Sequence, residues 1–209
     1  MAAYDLEEQE QLAALKAWWK EHGHLVLGTI TAALLVLAAW NGWQWYQRTQ
    51  AQEAAALYEN LQAAARAGDG KAARDAAGSI LEKYSGTAYA PLAALVSAKV
   101  SYQAGDAKTA RAQLQWAVDN ARQEDVRMVA RLRLAAVLMD EKAYDEAMKV
   151  LEVKPAEAFD AAFLSMRGDL LLVQNKRDEA RAAYKAAIEK SRDPAFRETL
   201  RLKLDTLGE

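Results

Sequence analysis

The sequence predicts an all-α protein in which a single transmembrane helix precedes a stack of helical hairpins. Three observations lead to this fold class. A charge-free apolar run covers residues 25–46, four related segments recur after it, and the 209 residues include only 10 glycines and 3 prolines. Sparse turn residues favour helices over a turn-rich β fold. We therefore expect a short segment at 1–24, a transmembrane helix at 25–46 and a helical domain at 47–209.

The apolar run LVLGTITAALLVLAAWNGWQWY has the length and composition of a transmembrane helix. At about 1.5 Å per residue it makes a rod of roughly 33 Å, which matches a hydrocarbon core of about 30 Å. Five of the six tryptophans flank it, as expected where rings meet lipid headgroups: Trp18, Trp19, Trp40, Trp43 and Trp45. A cleaved secretory signal peptide is the alternative, but the acidic first ten residues do not suit it.

The segment before the apolar run, residues 4–22, predicts a short amphipathic helix. Leu12, Leu15 and Trp19 fall at helical spacing, and Gly23 is predicted to end the helix. Lys16 and Lys20 then stand beside the membrane, against a single Arg48 on the other side. Basic residues concentrate in cytoplasmic segments, so this bias slightly favours a cytoplasmic N-terminus. Charge alone leaves the opposite orientation open.

Small residues recur along the transmembrane helix at alternating spacings of four and three. The set is Gly28, Ala32, Leu35, Ala39 and Gly42, of which all but Leu35 are small. A seam of small residues lets a second transmembrane helix approach closely, so these positions are a candidate packing surface for a membrane partner. The alternative is ordinary composition, because glycine and alanine are common in membrane helices.

Four segments of the helical domain resemble one another, and each places a small residue at one fixed position. These residues are Ala73, Ala110, Ala147 and Ala180, separated by 37, 37 and 33 positions. The spacing is close to the 34-residue period of tetratricopeptide repeats, which the domain resembles. An unrelated all-α bundle is the alternative. One hairpin cannot bury its apolar face alone, so the repeats are expected to stack.

Further residues of the domain match the packing of paired helices. Large residues follow the fixed alanines at Leu114, Leu151 and Tyr184, with small residues at Ala117 and Ala187, and Gly168 is expected where two helices approach closely. Gly68 and Gly105 are predicted to end helices, whereas Lys142 and Asn175 replace the turn glycine. Pro155 and Pro194 are expected to end helices. The last segment is predicted to cap the stack, with Leu200, Leu202 and Leu204 facing inward.

The sequence contains no recognisable catalytic, metal or cofactor site. His22 and His24 lie two positions apart, which does not place them on one helical face, and the chain has no cysteine. Residues 47–209 hold 25 basic and 24 acidic residues, a net charge of +1, so no basic field suggests nucleic acid. We expect a binding protein without a cofactor rather than an enzyme.

In tetratricopeptide repeats the first helix of each hairpin lines a groove, through its second, fifth, ninth and twelfth positions. Carried onto this sequence, the resemblance implies these candidate groove residues: Leu92, Leu95, Lys99, Tyr102, Val129, Leu132, Ala136, Met139, Ala162, Ser165, Asp169 and Leu172. A largely apolar groove with an adaptable methionine suits extended polypeptide. The alternative is that these residues pack as core or against the capping helix.

The order of parts is similar to one known family. The juxtamembrane sequence LKAWWKEHG starts at Leu15, the exit motif GWQWY at Gly42, and the sequence AALY at Ala55. Together with the anchor and the repeats, these resemble the YfgM-like ancillary subunits of the Sec translocon. The resemblance implies an inner-membrane protein with its N-terminus in the cytoplasm and its repeat domain in the periplasm. It also implies, as partners, the SecYEG translocon and a PpiD-type membrane-anchored chaperone.

Three functions remain open at this stage. The first is a tethered interaction module that helps to hand translocated polypeptides over to periplasmic chaperones. The second is a regulator that sequesters a signalling partner, for which the acidic segment at residues 1–24 is the candidate feature. The third is a scaffold for assembly of the cell envelope. Tethering to the lipid bilayer raises effective concentration and makes weak binding useful, which favours the first function.

Overall fold

Helix α1 runs without interruption over Ala2–Ala67. This computed structural model of the chain describes the backbone of residues 2–208 and the side chains of residues 7–208, so the side chain of Asp5 in the predicted amphipathic helix and Glu209 lie outside it. The remaining helices are α2 (Gly70–Lys83), α3 (Tyr89–Gln103), α4 (Ala107–Asn120), α5 (Glu124–Asp140), α6 (Tyr144–Val150), α7 (Asp160–Val173), α8 (Arg177–Lys190) and α9 (Pro194–Asp205), with one 3-10 turn at Glu157–Phe159. Helix accounts for 85% of the described residues, which confirms the all-α prediction.

The chain divides into two units, Met1–Thr49 and Gln50–Glu209. Within the first unit, the apolar run lies inside α1 and leaves large side chains uncovered: Leu35 is 66%, Val36 68% and Trp45 71% exposed. Within the described residues, α1 is the one helix that is long and apolar enough to cross a membrane. Because uncovered apolar surface of this extent is unfavourable in water, the segment has the character of a membrane anchor.

Three polar residues inside the apolar run donate side-chain hydrogen bonds within their own helix. Thr29, Thr31 and Asn41 each donate a side-chain hydrogen bond to the carbonyl four positions earlier, at 2.6, 2.8 and 2.9 Å. An unpaired polar group costs several kcal/mol in hydrocarbon, roughly 2–7 in transfer measurements. These internal hydrogen bonds lower the cost of placing the segment in a lipid bilayer.

The prediction that Gly23 ends a helix is wrong, because α1 continues through it. Gly23 is buried, and a Cβ built there would lie 3.2 Å from the ring of Trp19. An isolated glycine costs a helix only about 1 kcal/mol relative to alanine. It ends a helix where the backbone turns left-handed, and the described glycines with positive φ lie elsewhere in the chain.

In the second unit, each helix packs against the next from α2 to α9, and α7 also contacts α5. The four fixed alanines are fully buried, which agrees with their predicted role between paired helices: Ala73, Ala110, Ala147 and Ala180. The large residues that follow them, Leu114, Leu151 and Tyr184, are also buried, with at most 2% of their surface exposed. The repeated positions therefore form the core of the predicted hairpins.

Turn residues confirm the predicted hairpin geometry. Gly68 and Gly105 have φ values of +76° and +82°, the left-handed conformation of a residue that follows a helix. Lys142 and Asn175 adopt φ values of 60° and 61° at the equivalent places. The same turn is therefore made without glycine, at the steric cost that Cβ imposes in this conformation.

The third hairpin, formed by α5 and α6, departs from the others because α6 is only seven residues long. Arginine side chains bind the carbonyls left free where α6 ends. Arg131 Nη1 donates to the carbonyl of Val150 at 3.0 Å, and Arg167 Nη2 donates to that of Leu151 at 2.6 Å. Cationic donors suit a helix C-terminus, since unpaired carbonyls there carry partial negative charge.

Helix α9 covers the end of the repeat domain, with two corrections to the prediction. Leu200 is fully buried and Leu204 is half-buried, but Leu202 is 60% exposed, because two positions along a helix turn a side chain to the opposite face. Pro194 begins α9 rather than ending the helix before it. Asp193 caps that start by accepting a hydrogen bond from the Ala195 amide at 2.9 Å, and a proline fits the first turn because its missing N–H is not needed there.

Candidate functional site

The residues predicted to line a groove fall into three groups in the structure. The first group contributes to the core. Leu95 retains 6% exposure, and three more residues lie partly buried against the same core: Val129, Leu132 and Met139. Leu92 is half-buried, and Ala162 borders a separate cavity beside the connection before α7. These side chains support the stacked helices more than they present an open surface.

The second group lies beneath the capping helix. Both carboxylate oxygens of Asp169 are 2.7 Å from Lys203 Nζ, and the Tyr184 hydroxyl donates to Asp169 Oδ1 at 2.7 Å. Ser165 accepts a hydrogen bond from the same Lys203 at 3.3 Å. Leu172 packs in the apolar cluster that α8 and α9 share. This group therefore fixes α9 to α7.

The electrostatics of this cluster centre on the Tyr184 phenol. Burial raises the pKa of Tyr184, and the hydrogen bond to Asp169 and the charge of that carboxylate raise it further. Lys203 Nζ also lies 5.7 Å from the centre of the Tyr184 ring. The neutral phenol and the Lys203–Asp169 ion pair stabilise the capped end of the domain.

The third group stays open to solvent and lines a cavity of about 380 Å³ between α3 and α5. Lys99, Tyr102 and Ala136 are predicted residues that line it, with five residues that the sequence did not single out for this site: Ala98, Leu114, Arg133, Val137 and Asp140. The floor is apolar, and the charged groups stand around it. The structure thus brings together only part of the predicted set.

A second cavity, of about 440 Å³, adjoins the first on the side of α1. It is lined by Gln62, Ala65, Arg66, Val96, Lys99, Val100, Gln103 and Arg133. Lys99 and Arg133 line both cavities, so the two lie side by side. The residues of the two cavities together are called the α3–α5 groove below.

The α3–α5 groove carries an excess of positive charge. Arg66, Lys99 and Arg133 line it, and in the part of the chain that the structure describes none of them forms an ion pair. The carboxylate of Asp140 accepts a hydrogen bond from the Tyr102 hydroxyl. That hydrogen bond, with the negative charge of Asp140, raises the pKa of Tyr102.

Within the first unit, the residues of the candidate seam of α1 are exposed. Leu35 is 66% exposed, the four small residues are exposed as well, and a Cβ built at Gly28 or Gly42 would meet no atom within 4 Å. Residues 7–208 contain no cluster of three metal-binding side chains. In the repeat domain, the α3–α5 groove has an apolar floor and charged walls.

Comparison with known proteins assigns the chain to a family. The family described as tetratricopeptide repeat-like domain matches residues 16–209, and an ancillary SecYEG translocon subunit of Neisseria gonorrhoeae (strain ATCC 700825 / FA 1090) is 33% identical over 217 residues, 99% of this chain and 100% of the relative. The chain belongs to this family of ancillary SecYEG translocon subunits. The resemblance drawn from the juxtamembrane motifs and the repeats is thereby confirmed.

Two further family members of the same description show similar coverage. The protein of Haemophilus influenzae is 27% identical over 205 residues, 98% of this chain and 100% of its own length. The protein of Escherichia coli K12 is 28% identical over 201 residues, 96% of this chain and 97% of its own. The similarity spans the apolar helix as well as the repeat domain.

Proposed function

We propose that this chain is a membrane-anchored ancillary subunit of the Sec translocon. The observation that carries the proposal is near full-length similarity to relatives described as ancillary SecYEG translocon subunits, up to 33% identity over 99% of the chain. The exposed apolar run of α1 supports it, because a translocon subunit must reside in the membrane. In this role the chain binds other proteins and catalyses no reaction.

The proposed arrangement places residues 1–24 in the cytoplasm, 25–46 in the inner membrane and 47–209 in the periplasm. The basic residues beside the apolar run support this orientation. Lys16 and Lys20 precede the run, whereas Arg48 is the one basic residue close after it. The repeat domain then sits near the site where translocated chains emerge. There it assists their hand-over to periplasmic chaperones, including a PpiD-type partner, because tethering keeps a weak binding surface at high local concentration.

Affinity purification in mild detergent, followed by mass spectrometry, tests the translocon association. We expect SecYEG components and a membrane-anchored chaperone to co-purify with the chain. A photo-crosslinker replacing Tyr102 should capture translocating polypeptides, and one replacing Glu8 should not. Recovery without any translocon component would contradict the proposal. A cytoplasmic regulator captured from Glu8 would favour the role of a signalling anchor instead.

Single-cysteine labelling tests the orientation cleanly because the chain has no native cysteine. Gln9→Cys and Lys185→Cys are made separately, and spheroplasts are treated with a maleimide that does not cross membranes. We expect Lys185→Cys to react in intact spheroplasts and Gln9→Cys only after lysis. The reverse pattern would place the repeat domain in the cytoplasm and contradict the proposed arrangement.

The seam of α1 is proposed as the contact with a membrane partner. The absence of nearby atoms at Gly28 and Gly42 leaves this face available to a second helix. Gly28→Leu combined with Ala32→Leu should weaken co-purification of the partner while the chain stays in the membrane. The matched control, Ala33→Leu with Ala38→Leu, lies off the seam and should leave co-purification unchanged. Equal losses in both variants would argue against the seam.

A further inference from the structure

Three helices of the repeat domain each contribute one cation to the α3–α5 groove. Arg66 comes from the end of α1, Lys99 from α3 and Arg133 from α5. Lys99 is the single charged residue in the 15 residues of α3. Three positive charges that line one groove and form no ion pair there repel one another, so an anionic occupant is favoured at this place.

The arginines of α5 are divided between two roles. Arg127 donates to the carbonyl of Ala121 at 3.3 Å, and Arg131 donates to that of Val150 at 3.0 Å, so both serve the fold. Arg133 has no such hydrogen bond among residues 7–208 and faces the groove. Its guanidinium therefore retains all its donors for a ligand, and this geometry suits a carboxylate.

The one carboxylate of the groove does not neutralise these cations. Asp140 accepts the hydrogen bond of the Tyr102 hydroxyl, and no lysine or arginine lies within ion-pair distance of it in the described part of the chain. Beside these charges, Ala98, Leu114, Ala136 and Val137 form an apolar floor. The groove thus combines a place for an apolar side chain with two or three sites for carboxylates.

We propose that the α3–α5 groove binds an extended segment of another polypeptide in which acidic residues flank an apolar one. The apolar side chain enters the cavity over Leu114 and Val137. The flanking carboxylates meet Lys99 and Arg133, and a further one reaches Arg66. The inference rests on the proposed function for its setting, in which the segment belongs to a translocating chain.

Charge selects this occupant over two others. A purely apolar segment would leave the three cations without partners, and it would remove part of their hydration on binding. A second copy of the domain offers no special complement, because residues 47–209 have a net charge of +1. An acidic segment gains Coulomb attraction to all three cations and still buries its apolar side chain.

Peptide binding to the purified full-length chain, held in an uncharged detergent, tests the proposal. The probe is a short fluorescent peptide in which a leucine is flanked by glutamates, and the comparison peptide has glutamine at each glutamate. We expect the acidic peptide to bind about tenfold or more tightly than the glutamine peptide, and to weaken as salt screens the charges. Equal binding of the two peptides, or insensitivity to salt, would overturn the proposal.

Charge reversal then locates the site. Lys99→Glu with Arg133→Glu should weaken binding of the acidic peptide about tenfold or more, and should favour a peptide carrying lysines in place of the glutamates. The control, Lys108→Glu with Lys185→Glu, makes the same change in net charge at exposed positions outside the groove. It should retain binding within about twofold. Equal loss in both variants, with no preference for the basic peptide, would overturn the groove assignment.

These measurements stand apart from the test of the proposed function. Translocon association is measured by co-purification from membranes, whereas peptide selectivity is measured on the isolated chain. Selective binding of the acidic peptide with no co-purified translocon would leave the groove assignment in place and reject the proposed setting. Co-purification of the translocon with no peptide selectivity would leave the proposed function in place and reject the groove assignment.

Discussion

Gly168 of α7 faces the buried ring of Tyr184 in α8, and this pair shows how a single missing methyl group sets a helix contact. A Cβ at position 168 would lie 2.5 Å from a carbon of that ring, and Tyr184 retains only 1% exposure. The ring has little room to move, because Asp169 holds its hydroxyl at 2.7 Å. Glycine at this position is therefore a steric requirement of the fourth hairpin.

Gly168→Ala is expected to lower the free energy of unfolding by about 1–3 kcal/mol, the usual cost of overpacking a core. Thermal unfolding followed by circular dichroism in detergent measures the change. Gly78→Ala serves as the control, because no atom lies within 4 Å of its added Cβ and α2 should gain about 0.5–1 kcal/mol from alanine. Similar shifts in both variants would contradict the close contact.

The raised pKa of Tyr184 predicts how the stability of the fold depends on pH. Burial and the Asp169 hydrogen bond raise its folded-state pKa above the ordinary value of 10.0. The stabilisation is therefore fully present below about pH 10 and is lost as pH rises toward the folded pKa, since the unfolded chain releases the proton first. Tyr184→Phe should show a shallower alkaline loss of stability than the wild type, as measured by thermal midpoints across that range. A parallel decline in both proteins would contradict the assignment.

At the scale of elements, the short helix α6 is the main irregularity of the repeats. The sequence predicts its packing through Ala147 and Leu151, but it gives no sign that the helix ends at Val150. The ending depends on Arg131 and Arg167, which come from neighbouring helices and bind its terminal carbonyls. Contacts between separate helices of this kind leave no periodic signal in the sequence.

Removing either arginine should destabilise the third hairpin. Arg131→Met and Arg167→Met keep the apolar stem but leave carbonyls without a charged donor, which should cost about 1–3 kcal/mol of unfolding free energy each. Arg177→Met, at an exposed position that opens α8, should change it by less than about 0.5 kcal/mol. Chemical denaturation of the three variants measures the difference. An Arg131→Met variant as stable as the control would show that α6 ends for another reason.

The α3–α5 groove contains residues that the repeat-based prediction of groove positions missed. Arg133 and Ala136 line the same cavity as Lys99 and Tyr102 and follow them by one period of 34 residues. The prediction carried the groove positions forward by 37, the spacing of the fixed alanines in the second helices. That spacing includes a difference in helix length, because α5 has 17 residues and α3 has 15. The cavity therefore brings together residues of α3 and α5 that the repeat spacing does not align.

At the scale of the whole molecule, membrane attachment depends on the apolar run of α1. Leu35→Arg places a charge near its centre, at a cost of about 2.5–3.5 kcal/mol on the insertion scale. We expect this variant to leave the membrane fraction after an alkaline wash. Leu202→Arg, the same substitution at a residue of α9 that is 60% exposed, should stay membrane-bound. Retention of Leu35→Arg in washed membranes would contradict the role of this segment as the anchor.

The sequence by itself determined the elements that depend on local pattern. An uncharged apolar run specifies a long apolar helix, and small and large residues at fixed spacing specify paired helices. Positive φ at the turns follows from the need to reverse the chain after each helix, which Gly68 and Gly105 meet most easily. These features need only neighbours along the chain, so they can be inferred without a structure.

Only the tertiary structure decided which side chains meet across helices. It placed Asp169 under Lys203 of the capping helix, turned Leu202 outward, and assembled the groove from Arg66, Lys99 and Arg133 on three separate helices. The physical reason is that rotation and register between packed helices depend on the fit of all their side chains together. A shift of one position along a helix turns a residue by about 100°, enough to exchange core for open surface.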